Sequence, residues 1–269
     1  MMLPIALTIA GSDSGGGAGI QADLKTFHAF GVFGTTAITA ITAQNTRGVS
    51  AVHAVPADVV RAQIRAVAAD LRPAAIKTGM LATAPLVEAV AAAIADEGLE
   101  NYVLDPVMVA TSGARLLDAD AEGAVAERLV PLATVVTPNL DEAAILVGHA
   151  IEGEADMRRA AETLVARGAR AALIKGGHLD AGAVADVLHD GVELHVWRRP
   201  RIATTSTHGT GCTLSAAIAA GLALGRPLVE AVADALDFVH RAILEAPGLG
   251  AGYGPLNHFV AAAPATAKS

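Results

Sequence analysis

Short apolar or β-branched runs alternate along this chain with longer stretches that carry the hydrophobic period of a helix. The runs occupy residues 5–10, 35–43, 74–78, 102–105, 134–137 and 171–175. Helical patterns between them cover residues 56–71, 82–97 and 156–167. Strands joined through helices pair in parallel, because each crossover returns the chain to the same end of the sheet. The alternation therefore predicts an α/β fold with a mostly parallel central sheet and helices on both faces.

The pattern changes after residue 175. Two apolar runs, 184–189 and 192–197, flank Asp190-Gly191, a dipeptide that favours a type I′ turn, so we expect a β-hairpin in the C-terminal third. Two helices are predicted after it, over 212–224 and 228–245, because Gly225 and Pro227 end one helix and start the next. No linker divides the chain, so we expect one domain over residues 1–260 and a disordered tail over 261–269.

Composition excludes several classes of function. The net charge is −8 and the 19 basic residues are scattered, so neither nucleic acid nor an anionic membrane is an expected partner. Apolar stretches are too short or carry a charge, so none is expected to span a bilayer. The N-terminus lacks the positive leader of a secretory signal, and we expect a cytoplasmic protein. Cys212 is the only cysteine, which excludes an internal disulfide and disfavours a cysteine zinc site.

A glycine-rich stretch, residues 11–19, separates the first predicted strand from a helix. Glycines there let backbone amides approach a ligand closely, whereas an ordinary tight turn explains only one or two of them. The stretch from Gly17 to Ala22 fits the loose GxGxxA form of a dinucleotide site. Such a site needs an acidic residue about 20 positions later, and none occurs between Asp23 and Asp58. A Walker A loop is excluded because no lysine follows a glycine.

Residues 207–213 lie immediately before an apolar, Ala-rich helix. The loop brings backbone amides and the positive end of a helix dipole to one point, which suits a transferring phosphoryl group. A lone cysteine is more often an inert core residue. At a helix N-terminus, however, the thiol pKa should fall below about 8.5, so chemistry is the better interpretation of Cys212. His208 is either a base or a hydrogen-bonding group, and it stays outside the predicted catalytic set.

Two more predicted strand ends carry acidic residues. Asp105 ends one strand, while Asn139 and Glu142 follow the next and would share one helical face at i and i+3. Carboxylates so placed can hold Mg²⁺ directly or through water. Each signal is weak alone, because Asn139 also suits an ordinary N-cap and Glu142 an ordinary first turn.

Taken together, these segments resemble the hydroxymethylpyrimidine kinase family across nearly the whole chain. The matching stretches are AGSDSGGGAGIQADLKTF from Ala10, ITAQNTRGV from Ile41, KTGML from Lys77, VLDPVM from Val103, TPNLDEA from Thr137, KGGH from Lys175 and THGTGCTLSAAIA from Thr207. The resemblance implies a ribokinase-like fold and a kinase of thiamine biosynthesis that uses ATP and Mg²⁺. Its substrate would be 4-amino-5-hydroxymethyl-2-methylpyrimidine, phosphorylated first to the monophosphate and then to the diphosphate at one site.

The resemblance also implies roles for individual residues. The anion hole falls on Gly209, Thr210, Gly211 and Cys212, with Cys212 as the catalytic base. Mg²⁺ falls on Asp105 and Glu142, and the nucleotide on Asp105, Asn139 and Lys175. Gln44 is the residue that reads the pyrimidine, and the same pocket includes Gly11, Asp23, Met80 and Val107. A local departure, Thr205-Ser206 ahead of Thr207, is expected to affect the nucleotide side.

Gln44 also makes physical sense in this role. A neutral aminopyrimidine offers a donor and an acceptor side by side, and a carboxamide offers their complements. The alternative for Gln44 is a capped turn over residues 44–46. Three other functions stay open: a pyridoxal kinase of the same architecture, a cysteine-dependent hydrolase using Cys212 and His208, and a non-catalytic ligand-binding regulator. Family members are commonly dimers, so a homodimer is expected, with ATP and the pyrimidine as small-molecule partners.

Overall fold

The computed structural model describes residues 3–108, 117–177 and 182–262. The strands are β1 (Ile5–Asp13), β2 (Phe33–Asn45), β3 (Gly48–Ala54), β4 (Ala75–Thr78), β5 (Tyr102–Leu104), β6 (Val135–Val136), β7 (Ala172–Lys175), β8 (Ala183–His189) and β9 (Leu194–Pro200). The helices are α1 (Gly19–Ala29), α2 (Ala57–Leu71), α3 (Ala84–Asp96), α4 (Ala119–Ala124), α5 (Leu140–Val147), α6 (Glu154–Ala166), α7 (Thr210–Ala223) and α8 (Leu228–Leu244). Short π and 3₁₀ turns, Val125–Leu129 and Val130–Leu132, follow α4.

The strands form one sheet in the order β3-β2-β1-β4-β5-β6-β7-β8-β9. Neighbours from β2 to β7 are parallel, whereas β3 at one end and the hairpin β8–β9 at the other are antiparallel. The predicted mostly parallel α/β sheet and the C-terminal hairpin are therefore confirmed. Strand β3 has no counterpart among the predicted strands, because its side chains are mostly exposed and carry no apolar alternation.

The connection between β8 and β9 differs from the predicted two-residue turn. His189 pairs with Leu194, which leaves a loop of residues 190–193. Oδ1 of Asp190 accepts hydrogen bonds from the N–H groups of Val192 and Glu193, both at 2.8 Å. These bonds stabilise the longer loop, so Asp190 acts as a turn-capping residue and not as part of a type I′ turn.

Helices cover both faces of the sheet, as predicted. On one face α2, α3, α5 and α6 bury side chains such as Ile64, Val90, Leu146 and Leu164 in a common cluster with the strands. On the other face α1, α7 and α8 form a second cluster, which includes nearly every residue of α7 from Leu214 to Leu222. Because α7 is enclosed by α1, α8 and the sheet, the loop that enters it has a rigid support.

Parallel pairing brings the carboxyl ends of β1, β2, β4, β5, β6 and β7 to one edge of the sheet, where ligands bind in open α/β folds. Among the described helices, none combines the length and apolar character that crossing a membrane requires. Of the predicted tail 261–269, Ala261 and Ala262 belong to the described residues and the remainder lies outside them.

Candidate active site

A cavity of about 820 Å³ lies along the carboxyl edge of the sheet. The predicted site residues that line it are Gly11, Gln44, Met80, Asp105, Val107, Asn139, Glu142, Lys175, Gly209, Thr210, Gly211 and Cys212. Segments that are far apart in sequence thus meet at one cavity. Asp23 is fully buried and does not line the cavity wall.

The N-terminus of α7 forms a cradle for an anion. Gly209 is its N-cap and adopts φ +83°, and a Cβ there would lie 1.9 Å from the carbonyl oxygen of Gly17. Only glycine fits this position. The N–H groups of Gly211 and Cys212 belong to the first turn, where a helix offers no internal acceptor. Together with the helix dipole they can bind a phosphoryl group.

Lys175 adds a positive charge beside the cradle. Its Nζ lies 3.2 Å from Oδ1 of Asp105 and 4.0 Å from Oε2 of Glu142. Burial opposes the charge, but the two carboxylates outweigh it and raise the pKa of Lys175, so the group is an ammonium. A Cβ on Gly211 would lie 3.2 Å from Nζ, which places the ammonium at the same turn of α7. Oδ2 of Asp105 accepts a hydrogen bond from Ser215 Oγ at 3.2 Å.

Asn139 and Glu142 form the capping box of α5. Oδ1 of Asn139 accepts from the N–H of Glu142, and Oε2 of Glu142 accepts from the N–H of Asn139, both at 2.9 Å. The ordinary N-cap role of Asn139 is therefore present, although the residue also lines the cavity. Burial raises the pKa of Glu142, and Lys175 opposes that shift. Asp105 and Glu142 bring hard oxygen donors to the cavity wall, a donor set that fits Mg²⁺.

Asp13, at the end of β1, is a site residue outside the predicted set. Oδ1 accepts from the N–H of Gly15 at 2.8 Å, and Oδ2 accepts from the N–H groups of Gly17 and Ala18 at 3.0 and 2.8 Å. Burial alone would raise the pKa of Asp13, but a hydrogen bond from His208 and those from the backbone lower it. The glycine-rich loop therefore wraps around this carboxylate, and these amides are not open to a phosphate. An Asp that precedes Ser-Gly-Gly is the sequence signal of such a turn.

His208 also lines the cavity, outside the predicted catalytic set. Its Nε2 lies 2.8 Å from Oδ2 of Asp13 and 3.3 Å from the side-chain amide of Gln44. Because Asp13 is a carboxylate, Nε2 must carry the proton of the contact with Asp13. His208 therefore donates to Asp13 of the glycine-rich loop, and its contact with Gln44 at 3.3 Å is at most the weaker branch of the same N–H.

Gln44 lies at a register irregularity between β2 and β3, a feature that often redirects a side chain next to a functional site. One end of its amide is 3.1 Å from Thr42 Oγ1 and the other faces His208. The hydroxyl of Thr42 donates to Ser12 O at 2.9 Å and is then an acceptor, so the amide nitrogen of Gln44 belongs beside Thr42 and its oxygen beside His208 Nε2. One amide N–H and one carbonyl lone pair then remain for a ligand.

Cys212 occupies the third position of α7, but the expected lowering of its thiol pKa is wrong. Burial raises the pKa of the Cys212 thiol to about 11. Lys77 opposes this shift, the carboxylates of Asp23 and Asp105 reinforce it, and a hydrogen bond from the N–H of Gly19 opposes it. Desolvation and nearby negative charge therefore outweigh the helix N-terminus. The thiol is protonated at neutral pH.

Asp23 acts on the cavity through Lys77. Nζ of Lys77 lies 3.0 and 2.9 Å from the two carboxylate oxygens of Asp23, and Thr8 Oγ1 donates to Asp23 at 2.6 Å. Both members of the ion pair are fully buried, yet Lys77 borders the cavity. Burial alone would lower the pKa of Lys77, but the Asp23 carboxylate outweighs it and raises that pKa. This placement argues against the predicted direct contact between Asp23 and a substrate.

Thr205 and Ser206, which were expected to affect the nucleotide side, lie away from the cavity. Thr204 and Thr207 line the cavity, whereas Thr205 and Ser206 do not. Ser206 is buried, and Thr205 O accepts a hydrogen bond from the N–H of Gly254 at 3.2 Å. The two residues therefore contact a later part of the chain, and this placement gives no support to an effect on a nucleotide.

Similarity to known proteins agrees with this geometry. Residues 13–257 match the phosphomethylpyrimidine kinase family. A hydroxymethylpyrimidine/phosphomethylpyrimidine kinase of Rhizobium meliloti is 56% identical over 265 residues, 96% of this chain and 98% of that protein. A thiamine biosynthesis bifunctional protein of Geobacter sulfurreducens is 52% identical over 95% of this chain and 52% of its own length.

Among solved structures, the ADP complex of Bacillus subtilis pyridoxal kinase is 42% identical, with a TM-score of 0.88 over 96% of this chain and 98% of that one. The predicted ribokinase-like fold is confirmed by this likeness. A kinase matches the site as well, because the cavity combines an anion cradle at the α7 N-terminus with the Lys175 ammonium and apolar side chains. The chain belongs to the phosphomethylpyrimidine kinase family.

Proposed function

We propose that this protein phosphorylates 4-amino-5-hydroxymethyl-2-methylpyrimidine with ATP, first to the monophosphate and then to the diphosphate, in thiamine biosynthesis. The order of groups along the cavity carries the proposal. Gln44 and Met80 lie at the β2 and β4 side, Cys212 and Asp105 in the middle, and the apolar side chain of Val184 on β8 at the far side. An acceptor, the phosphoryl groups and a nucleobase fit these three parts in that order.

Each part suits its proposed ligand chemically. The free N–H and lone pair of Gln44 complement a ring nitrogen and an exocyclic amino group. The cradle and Lys175 stabilise negative charge on a transferring phosphoryl group. Beyond Lys175 the wall carries apolar side chains that suit a flat base, Val184, Ile202, Leu236, Val239 and Ile243, and also the charged side chains of Asp186 and Arg199.

Cys212 is the proposed base for the hydroxymethyl proton. With its pKa near 11 the thiol must first release its own proton to solvent, which reaches the partly exposed Cys212, before it can accept the hydroxymethyl proton. The Lys77 ammonium, the N–H of Gly19 and the α7 N-terminus favour the thiolate. Asp105 and Glu142 are the proposed holders of Mg²⁺, which when bound neutralises charge on phosphate oxygens. Neutralisation of Asp105 also removes one of the charges that oppose the thiolate.

The metal assignment is tested by substituting Asp105→Asn and comparing it with Asp70→Asn, an exposed carboxylate far from the cavity. ADP formation is measured with the pyrimidine while Mg²⁺ is titrated. We expect Asp105→Asn to raise the Mg²⁺ concentration needed for half-maximal rate and Asp70→Asn to leave it unchanged. Unaltered metal dependence in Asp105→Asn contradicts the assignment, and no ADP formation by the unmodified enzyme with the pyrimidine contradicts the function itself.

Pyridoxal phosphorylation is the second candidate, because the fold matches a pyridoxal kinase so closely. Parallel assays with pyridoxal and the pyrimidine separate the two. The cysteine hydrolase is disfavoured, since His208 Nε2 is directed to Asp13 and Gln44 and the Cys212 thiol is protonated. A homodimer in the cytoplasm stays a prediction, and light scattering on the purified protein measures its oligomeric state.

A further inference from the structure

A segment near the end of the described chain, residues 249–258, crosses loops that belong to the site, and we call it the strap. It first contacts the turn between β2 and β3. The N–H of Tyr253 donates to Thr46 O at 2.8 Å, and the N–H of Gly252 donates to Thr46 Oγ1 at 3.3 Å. Thr46 follows Gln44 by two positions, so the strap holds the turn that carries Gln44.

The strap then contacts the loop that leads into the anion cradle. Gly254 donates to Thr205 O at 3.2 Å and accepts from the N–H of His208 at 3.1 Å. Pro255 pairs with His208 as a parallel bridge. His208 immediately precedes Gly209, the N-cap of α7. One segment therefore touches both the turn of Gln44 and the loop of His208.

Further contacts fix the strap to the core. The N–H of Asn257 donates to Ala242 O on α8 at 3.0 Å, and Leu256 is buried in the cluster around α7 and α8. Nε2 of His258 lies 3.0 Å from Thr213 Oγ1. Burial lowers the pKa of His258 to about 4, so its ring is neutral and accepts the hydroxyl proton of Thr213. The strap is therefore fixed to α7 and α8, and through it the β2–β3 turn and the loop before α7 are held relative to these helices.

We propose that the strap is a positioning element for the acceptor half of the site, and this inference rests on the proposed function. The side-chain amide of Gln44 lies 3.3 Å from His208 Nε2; Gln44 is the second-last residue of β2, next to the turn that the strap holds, and His208 lies in the loop before α7. If the strap loosens from Thr46, Gln44 loses its fixed distance from His208 while the apolar nucleotide side keeps its own support. The pyrimidine KM should therefore rise, and the ATP KM should not.

Two glycines of this region offer a matched pair of variants. Gly250 has φ +82° and a Cβ there would lie 2.3 Å from Thr46 Oγ1. Gly248 has φ +66° and nothing within 4 Å of its Cβ position. Gly250→Ala and Gly248→Ala therefore share the backbone strain of a positive φ, and only Gly250→Ala also pushes against Thr46. Thr46→Val is a milder second variant, because it removes only the acceptor of the Gly252 N–H.

We expect Gly250→Ala to raise the pyrimidine KM about tenfold over Gly248→Ala, and Thr46→Val to raise it about threefold over the unmodified enzyme, as the loss of one or two hydrogen bonds predicts. The ATP KM should match between the two glycine variants, whereas the melting temperature should be lower in Gly250→Ala because its Cβ meets Thr46. Equal pyrimidine KM values in the two glycine variants, with no rise in Thr46→Val, overturn the proposal. A parallel rise in both KM values also overturns it, because the effect is then general.

A substrate-independent measurement separates failure of the strap from failure of the proposed function. Arg47 is exposed in the turn, so trypsin cleavage after Arg47, followed by mass spectrometry, reports how firmly the turn is held. Gly250→Ala should be cleaved several times faster than Gly248→Ala. If the unmodified enzyme does not phosphorylate the pyrimidine, the proposed function is rejected, and the rate of cleavage at Arg47 still tests whether the strap holds the turn. Equal cleavage rates in the two variants then reject it.

Discussion

Cys212 should react slowly with an alkylating agent, and its rate should keep rising to high pH. With a pKa near 11, about one thiol in a thousand is ionised at pH 8, whereas about one in four is ionised for an ordinary thiol of pKa about 8.5. The more basic thiolate is also more nucleophilic, which raises the alkylation rate by about tenfold and offsets part of the loss. The net expectation is a rate about twentyfold below that of glutathione.

Iodoacetamide labelling of the EDTA-treated protein measures this directly, because Cys212 is the only cysteine. The second-order rate constant should rise about tenfold per pH unit from pH 7 to pH 10 without a plateau. Cys212→Ala, which should not be labelled, is the control. A plateau below pH 9, or labelling faster than glutathione at pH 7, would mean that the α7 N-terminus outweighs burial and that the thiol pKa is lowered.

Three other predictions concern catalysis, specificity and pH. Cys212→Ala should lower kcat by about 10² to 10⁴, the usual contribution of a general base, and near-normal turnover returns Cys212 to an inert role. Gln44→Ala should reduce kcat/KM for the pyrimidine about tenfold to a hundredfold and for pyridoxal much less, whereas parallel losses mean that Gln44 only shapes its loop. The folded-state pKa of His258 is lowered, so the contribution of the neutral ring to the free energy of unfolding is present above about pH 6.5 and is lost as the pH falls toward 4. The free energy of unfolding should then drop by about 1 kcal/mol between pH 8 and pH 5.5 in the unmodified protein but not in His258→Gln, and equal drops in chemical denaturation contradict this assignment.

Local pattern was enough to place most elements of the fold. The apolar run over residues 102–105 predicts β5, and the Ala-rich stretch after Gly211 predicts α7, because burial on both faces of a sheet leaves continuous apolar runs. The position of the site loops was also predictable, because the carboxyl ends of parallel strands lie at one edge of the sheet. Strand β3 was not predicted because an exposed edge strand needs no hydrophobic period. Its backbone pairing with β2, and not its side chains, makes it a strand.

Properties that depend on neighbours from distant segments could not be predicted in this way. The amides of the glycine-rich loop suggest an anion site, but Asp13 is itself the anion that they bind. Cys212 lies in the first turn of α7, a position that by itself lowers a thiol pKa. Burial beside Asp23 and Asp105 raises the pKa of this thiol more strongly. The occupied amides and the raised thiol pKa both depend on how close a carboxylate from another segment lies. The spacing of residues in the sequence does not predict that distance.

Charge in the middle of the cavity would couple the proposed base, Cys212, to the proposed phosphate site at the α7 N-terminus. Lys77 is paired with Asp23, and Lys175 is shared between Asp105 and Glu142, so neither ammonium acts on Cys212 without a competing carboxylate. A cation held by Asp105 and Glu142 would release Lys175 from them. The released ammonium would then favour both an anion at the α7 cradle and the thiolate of Cys212. The base would therefore stay protonated while the phosphate site is empty and lose its proton more readily as that site fills.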